Sequence, residues 1–226
     1  MAPASVEVDI AGDPEPVRRW LAGPGASFPP HPDLTMTRVW MRMQDGDLAG
    51  ALAQIEEAPA EGRMRHLFWK GEALRLLGRG AEARAAYQAD REVHEKELGA
   101  PRDEWVEAYA RARLARVLGR LGDRQGALEQ ARRAEALYGY ARDPGDGSPI
   151  TSLCAEAYLI AGERGAALDR IEAIVKGRSW ITAGQAWTDP QLAELHTDPR
   201  FRALIASQGV DVSKEPFAVH RAALAR

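Results

Sequence analysis

Apolar residues along this chain recur every three or four positions, in stretches that end at short segments centred on glycine. Four of these segments are alike, and each lies between two stretches of helical period; they contain Gly46, Gly78, Gly122 and Gly162. These anchor glycines are 32, 44 and 40 residues apart. Helical periodicity on both sides of a short glycine turn predicts pairs of helices, because glycine accepts the left-handed backbone that ends the first helix of a pair.

The residues around the anchors also repeat. Five residues after each anchor stands alanine, at Ala51, Ala83, Ala127 and Ala167. Seven residues before each anchor the residue is mostly small: Val39, Gly71, Ala115 and Ala155. Small residues that face each other let two helices approach closely. Since a single pair cannot bury its apolar face, the pattern predicts that several pairs stack into a solenoid.

Residues 118–128 (LGRLGDRQGAL) resemble a tetratricopeptide repeat, and residues 71–87 resemble one as well. The resemblance extends over about residues 33–177 and is strongest in the two middle units. Two of the anchor spacings exceed the usual repeat of about 34 residues, which predicts helices longer than standard. The first unit places Arg38 and Arg42 where the family has apolar or small residues, which indicates a degenerate or capping repeat.

The predicted fold class is therefore all-α, a solenoid of antiparallel helix pairs similar to a tetratricopeptide superhelix, with a C-terminal helical cap. Residues 1–32 are predicted to form an N-terminal arm and linker, 33–180 the repeats, and 181–226 the cap and tail. The linker interpretation depends on the Gly/Pro-rich residues 23–32, and the arm on residues 6–10, which alternate like a strand without a second strand candidate to pair with.

The cap is predicted from two segments, 189–195 and 198–205, each of which begins with Asp-Pro. Asp at the N-cap and Pro at the first helical position are typical helix starts. An exposed solenoid end also needs to be covered. The tail resembles the segment that closes such repeat arrays in some bacterial regulatory proteins, including nucleotide cyclases and transcription activators.

Bulk properties exclude several classes of partner. The formal net charge of −3 argues against a nucleic-acid partner, which requires a strong positive field. No apolar run is long enough to cross a bilayer, and the first residues lack the pattern of a secretory signal, so no membrane partner is expected. The single cysteine, Cys154, cannot form an internal disulfide, which favours a reducing, cytoplasmic location.

Three segments of the chain contain metal-ligating or nucleophilic residues in patterns that could carry chemistry. His94-Glu95 begins like a zinc-protease motif, but Leu98 occupies the place of the second histidine, which favours a solvated helix face. Asp143 and Asp146 lack the alternate ligands of a calcium loop and indicate an ordinary turn. Cys154 is interpreted as a buried small residue. The sequence thus predicts no catalytic residue, no metal and no cofactor, and a chain that is not an enzyme.

The resemblance implies that the first helix of each pair lines a concave, ligand-binding surface. Counting back from the anchors by the family's groove positions gives candidate peptide-binding residues: Trp40, Arg65, Phe68, Arg75, Tyr109, Arg116 and Arg120. Arginine beside aromatic residues would suit an acidic or carboxylate-ended peptide or protein segment. The alternative is that these residues form solvated helix faces, on which Glu72 and Glu156 partly neutralise the arginines.

The function predicted from these features is a protein- or peptide-binding module, acting as a scaffold or adaptor. A regulatory or sensory module of a larger bacterial protein, such as a nucleotide cyclase or a transcription activator, is the first alternative. An enzyme on a helical scaffold is the second, and it lacks any acid–base pair or metal cluster in the sequence. The sequence indicates neither the identity of the partner nor the oligomeric state.

Overall fold

A computed structural model describes residues 14–28, 32–58, 66–100, 103–214 and 216. Within these residues every regular element is a helix, so the all-α prediction is confirmed for this part of the chain. The strand-like segment 6–10 lies outside the described residues. None of the described helices is both long and apolar enough to cross a membrane.

The α-helices, numbered α1 to α11 in chain order, span Glu15–Ala22, Pro32–Gln44, Leu48–Glu56, Leu67–Leu76, Gly80–Leu98, Glu104–Leu121, Arg124–Tyr138, Gly147–Ile160, Arg164–Lys176, Ala183–Thr188 and Pro199–Ser207. Two 3₁₀ helices span Pro24–Ser27 and Pro190–Thr197. The longest anchor spacing contains α5 with 19 residues and α6 with 18, which confirms the prediction of long helices there.

The four anchor glycines share one backbone conformation. Their φ angles are 74° at Gly46, 76° at Gly78, 91° at Gly122 and 82° at Gly162, all in the left-handed region. After each glycine the next amide donates to a carbonyl five residues back, as Asp123 N does to Leu118 O at 2.9 Å. This bond satisfies a carbonyl that the helix end leaves without a partner. The predicted glycine turns are confirmed at all four positions.

The next helix begins immediately after the turn. In the first and third turns the residue after glycine is aspartate, and its side chain caps the new helix. Asp47 Oδ1 accepts from the amide of Gly50, and Asp123 Oδ1 accepts from the amide of Gly126, both at 2.9 Å. Local sequence therefore specifies both the end of one helix and the start of the next.

The repeated small residues are buried where the helices meet. Ala51, Ala127 and Ala167 are 0% exposed and Ala83 is 2% exposed, as a close-contact position requires. In the third pair, Ala127 lies in one apolar cluster with Leu114 and Leu118. In the first, third and fourth pairs, whose two helices pack against each other, the repeated alanine is thus buried on the second helix.

The chain divides into two compact units. One comprises the described residues of Met1–Ala83 and Ala183–Arg226, and the other comprises those of Arg84–Thr182. In the second unit α6 packs along α7, and α8 packs against α6, α7 and α9. Neighbouring helix pairs of this unit are thus in direct contact.

The first unit brings the C-terminal segment against the first helix pair. Gln44 Nε2 on α2 donates to the carbonyl of Thr188 on α10 at 2.9 Å, across 144 residues of sequence. Within the segment, the Trp187 ring stacks on His196 with centroids 3.9 Å apart. The predicted aspartate caps are confirmed, because Asp189 accepts from Gln191 N and Asp198 accepts from Arg200 N.

Candidate binding site

The predicted groove residues of the first unit are largely occupied by its own packing. Phe68 is 3% exposed and makes an edge-to-face contact with Trp69, so it is a core residue and not a groove contact. Trp40 is half-buried. Arg75 Nη2 lies 2.9 Å from Glu72 Oε2, which is the neutralising pair expected in the alternative interpretation. Arg65 lies outside the described residues.

In the second unit, the structure corrects the prediction for Arg116. Its guanidinium lies 2.6 Å from the carboxylate of Glu156 on α8, and only 6% and 5% of the two side chains are exposed. Burial alone would lower the pKa of Arg116, but the Glu156 carboxylate outweighs this cost and the pKa is raised. Arg116 therefore joins α6 to α8 in the interior and does not present its charge to a ligand. Arg120 is half-buried.

The remaining predicted residue, Tyr109, is the centre of a stripe along α6. The Trp105 ring stacks on Tyr109 with centroids 5.1 Å apart and planes within 10°. The guanidinium of Arg113 lies over the same Tyr109 ring, 5.0 Å from its centroid. The three residues follow each other at four-residue intervals, which places them on one face of a helix. They are defined here as the α6 stripe, and all three are half-buried.

Contacts at one end hold the α6 stripe in position. The indole Nε1 of Trp105 donates to the carbonyl of Asp146 at 3.0 Å, which ties the stripe to the loop before α8. That loop is an ordinary turn, as predicted, because Asp143 Oδ1 accepts from the amides of Gly145 and Asp146. The aromatic surface is therefore ordered before any ligand binds.

The charge of Arg113 distinguishes it from its neighbours on α6. Arg111 donates to Glu107 at 2.7 Å and to Gln130 at 2.8 Å, and Arg116 is bound to Glu156. Among the described residues, by contrast, the guanidinium of Arg113 has the Tyr109 ring as its contact and no carboxylate partner. A half-buried arginine in this state can donate two parallel hydrogen bonds to an incoming carboxylate.

Trp105 and Arg113 were not among the binding residues predicted from the sequence. Both stand four residues from Tyr109, and this spacing predicts that the three side chains lie on one face of α6. Counting from the anchors by the family's groove positions selects Tyr109, Arg116 and Arg120 on this helix and passes over Trp105 and Arg113.

The second unit also contains a pocket of about 320 Å³ on a different set of helices. Its walls come from α7, the loop after α7, α8 and α9, and include Glu135, Tyr140, Thr151, Asp169, Arg170 and Ala173. None of these residues was predicted as a site. The pocket lies at the small end of the range for ligand sites in proteins.

Two residues considered for chemistry are buried. His94 is 3% exposed, with Nδ1 at 3.0 Å from Glu97 and Nε2 at 3.4 Å from Asp90, so the predicted solvated face is wrong for this side chain. Cys154 is 0% exposed, which confirms its interpretation as a buried residue, and burial raises the pKa of its thiol well above the usual value. The described part of the chain has no cluster of three or more His, Cys, Asp or Glu side chains suited to a metal ion.

Comparison with protein-family models, curated proteins and solved structures gave no match.

Proposed function

We propose that this chain is a tetratricopeptide-like helical-repeat protein whose second unit binds a peptide or protein segment through the α6 stripe. The observation that supports the proposal is the stacked arrangement of Trp105, Tyr109 and Arg113 on one face of α6. The four glycine turns with the same backbone bonding support the repeat assignment. In this proposal the helix pairs continue as a solenoid, in a cytoplasmic protein.

The residue types of the α6 stripe suit binding. Tryptophan, tyrosine and arginine are the residues that most often dominate the energetics of protein interfaces. Stacking and the bond from Trp105 to Asp146 already restrict these side chains, so less conformational entropy is lost when a partner binds. The stripe is a surface of adjacent side chains with no acid–base pair among them, which favours binding over catalysis.

The chemistry of the partner follows from Arg113. The N–H groups of a guanidinium lie in its own plane, so a guanidinium placed over an aromatic ring can still donate to a carboxylate, whose geometry matches them. The proposed ligand is therefore a segment that carries a carboxylate, either at its C-terminus or on an acidic side chain. This agrees with the acidic or carboxylate-ended partner expected from the sequence, but assigns it to Arg113 rather than to Arg116.

This binding role fits a stand-alone adaptor, and it also fits a regulatory module of a larger bacterial protein such as a nucleotide cyclase or a transcription activator. In the second case the α6 stripe would hold a segment of another domain. Both versions require the same surface and the same carboxylate-bearing ligand.

The test uses two matched libraries of fluorescent hexapeptides, one with free C-terminal carboxylates and one with amidated C-termini and no acidic side chains. Binding of the full chain to each is measured by fluorescence anisotropy. We expect binding from the carboxylate library only, with a loss of at least about tenfold in Arg113→Glu and in Tyr109→Ala.

The control variant is Arg132→Glu, which makes the same charge change at an exposed arginine on α7. It should retain the binding of the original chain. If folded Arg113→Glu binds as well as the original chain, or if amidated peptides bind equally, the α6 stripe is not the site.

A further inference from the structure

The pocket between α7, α8 and α9 has one ordered polar wall. Glu135 accepts from Arg170 Nε at 3.0 Å, from Arg170 Nη2 at 3.2 Å and from the Tyr158 hydroxyl at 3.1 Å. The guanidinium of Arg170 also lies over the Tyr158 ring, 4.6 Å from its centroid. This network holds Glu135 and Arg170 in one arrangement before a ligand enters, which reduces the entropy cost of binding.

The charges on the lining favour a cation. Glu135 and Asp169 each contribute a negative charge, and Arg170 contributes one positive charge, so the pocket has a formal charge of −1. The hydroxyl of Tyr158 donates to Glu135 on this wall. Its pKa is raised to about 12, first by burial and then by the Glu135 carboxylate. Because Arg170 is paired with Glu135, the lining keeps an excess of one formal negative charge, which favours a cation over an anion.

Tyr140 adds an aromatic wall. Its amide donates to Thr151 Oγ1 at 2.9 Å, and its hydroxyl packs directly against the backbone of Gly177, where a side chain would collide with it. These two contacts hold the ring at the edge of the pocket. Among the described residues the Tyr140 hydroxyl has no hydrogen-bond partner. An aromatic face beside carboxylates is a typical environment for an ammonium group.

We propose that this pocket binds an organic ammonium group, carried by a small amine or by a lysine side chain, between the carboxylates of Glu135 and Asp169 and the ring of Tyr140. The alkyl part of the ligand packs against Ala173. The site uses α7, α8 and α9, whereas the α6 stripe uses none of them, so the two binding activities can be tested separately.

The first experiment titrates the full chain with n-butylammonium chloride and follows backbone amide resonances by NMR. The controls are n-butanol, which has the same alkyl group, and potassium chloride at the same ionic strength. We expect saturable shifts of the Tyr140, Thr151 and Ala173 amides with the ammonium ion alone. Equal shifts with n-butanol or with potassium chloride, or no shifts at these amides, would overturn the proposal.

Variants locate the binding groups. Asp169→Asn removes an exposed carboxylate from the pocket, and we expect it to weaken n-butylammonium binding by about tenfold. Tyr140→Leu removes the aromatic wall and should also weaken the binding. Glu129→Gln is the matched control, because it neutralises an exposed acid on α7 outside the pocket. Unchanged affinity in both pocket variants, with folded spectra, would contradict the proposed site.

A second arm identifies the source of the ammonium group. It uses a terminally blocked alanine-based peptide with one central lysine, and the same peptide with norleucine in its place. Shifts at the pocket with lysine only support a partner protein as the source, whereas shifts with n-butylammonium but with neither peptide support a small amine. Shifts of equal size with the norleucine peptide would contradict recognition of the charge.

Discussion

Arg116 on α6 and Glu156 on α8 form a buried ion pair, 2.6 Å apart, that joins neighbouring helix pairs of the second unit. Removing one partner leaves the other charge buried without compensation. We expect Arg116→Met or Glu156→Leu to lower the free energy of unfolding by about 3–5 kcal/mol. The double variant should lose clearly less than the sum, since it leaves no uncompensated charge. Urea denaturation of the four chains measures the difference.

An exposed ion pair on α7 serves as the control for the Arg116 and Glu156 variants. Arg133 Nη2 lies 2.6 Å from Glu129 on α7, and about half of each side chain is exposed. Substituting either residue with alanine should change stability by less than about 1 kcal/mol. Losses that simply add in the Arg116/Glu156 double variant would show that the buried pair is not coupled.

Glycine substitutions should have opposite effects at two positions. Gly122 has a φ of 91°, a backbone conformation that costs a residue with a Cβ atom about 1–2 kcal/mol, so Gly122→Ala should destabilise the chain by roughly this amount. Gly165 lies in α9 with open space around its Cα, so Gly165→Ala should stabilise the chain by about 0.5–1 kcal/mol. Thermal unfolding followed by circular dichroism measures both shifts.

Two results would contradict this pair of predictions. A stable Gly122→Ala variant would mean that the turn between α6 and α7 does not need the left-handed conformation. A destabilised Gly165→Ala variant would mean that the first turn of α9 packs against another part of the chain.

Tyr158 should make stability sensitive to alkaline pH. Its pKa is about 12 in the folded chain, against 10.0 for an unperturbed tyrosine. Between these values the unfolded chain has released the phenol proton and the folded chain still holds it. The contribution of Tyr158 is therefore complete below pH 10 and is lost as the pH rises through about 12. Tyr158→Phe should lose less stability over this interval, as measured by urea denaturation at a series of pH values.

The control for this prediction is the original chain, measured beside Tyr158→Phe at each pH. Other groups also titrate in alkali, so the relevant quantity is the difference between the original chain and Tyr158→Phe at each pH. If the two chains lose stability in parallel from pH 10 to 12, the phenol of Tyr158 ionises equally easily in the folded and unfolded states.

Cys154 should be unreactive in the folded chain. Its thiol is fully buried and has a raised pKa, and the thiolate is the form that reacts with alkylating reagents. We expect iodoacetamide to label Cys154 slowly at neutral pH and rapidly in concentrated urea, as measured by intact mass spectrometry. Labelling of the native chain at the rate of the denatured chain would show that α8 opens to solvent.

Some interactions were predictable from spacing, and others required the fold. The turn at Gly122 was predictable because the steric advantage of glycine in a left-handed conformation is local. The stripe of Trp105, Tyr109 and Arg113 could also have been read from four-residue intervals. The sequence did not indicate that Arg116 would be buried, because its burial depends on pairing with Glu156. Glu156 lies 40 residues from Arg116 along the chain.

The pocket between α7, α8 and α9 could not be predicted from sequence spacing either. Glu135, Tyr158 and Arg170 belong to three different helices, and no sequence interval relates them to one another. Their meeting depends on how α7, α8 and α9 pack, which is the sum of many small apolar contacts. His94 is an intermediate case, since its intervals to Asp90 and Glu97 lie within α5 and were readable, but its burial was not.

The sequence by itself determined that the described chain is helical, where its four glycine turns occur and which alanines are buried. These properties depend on backbone sterics and on periodicity within about one or two helical turns. Only the tertiary structure decided that Arg116 is internal, that Arg113 has no carboxylate partner among the described residues, that a pocket forms beside Glu135 and Arg170, and that the C-terminal segment contacts α2. Those outcomes depend on which distant side chains share one buried volume, and a linear pattern does not contain that information.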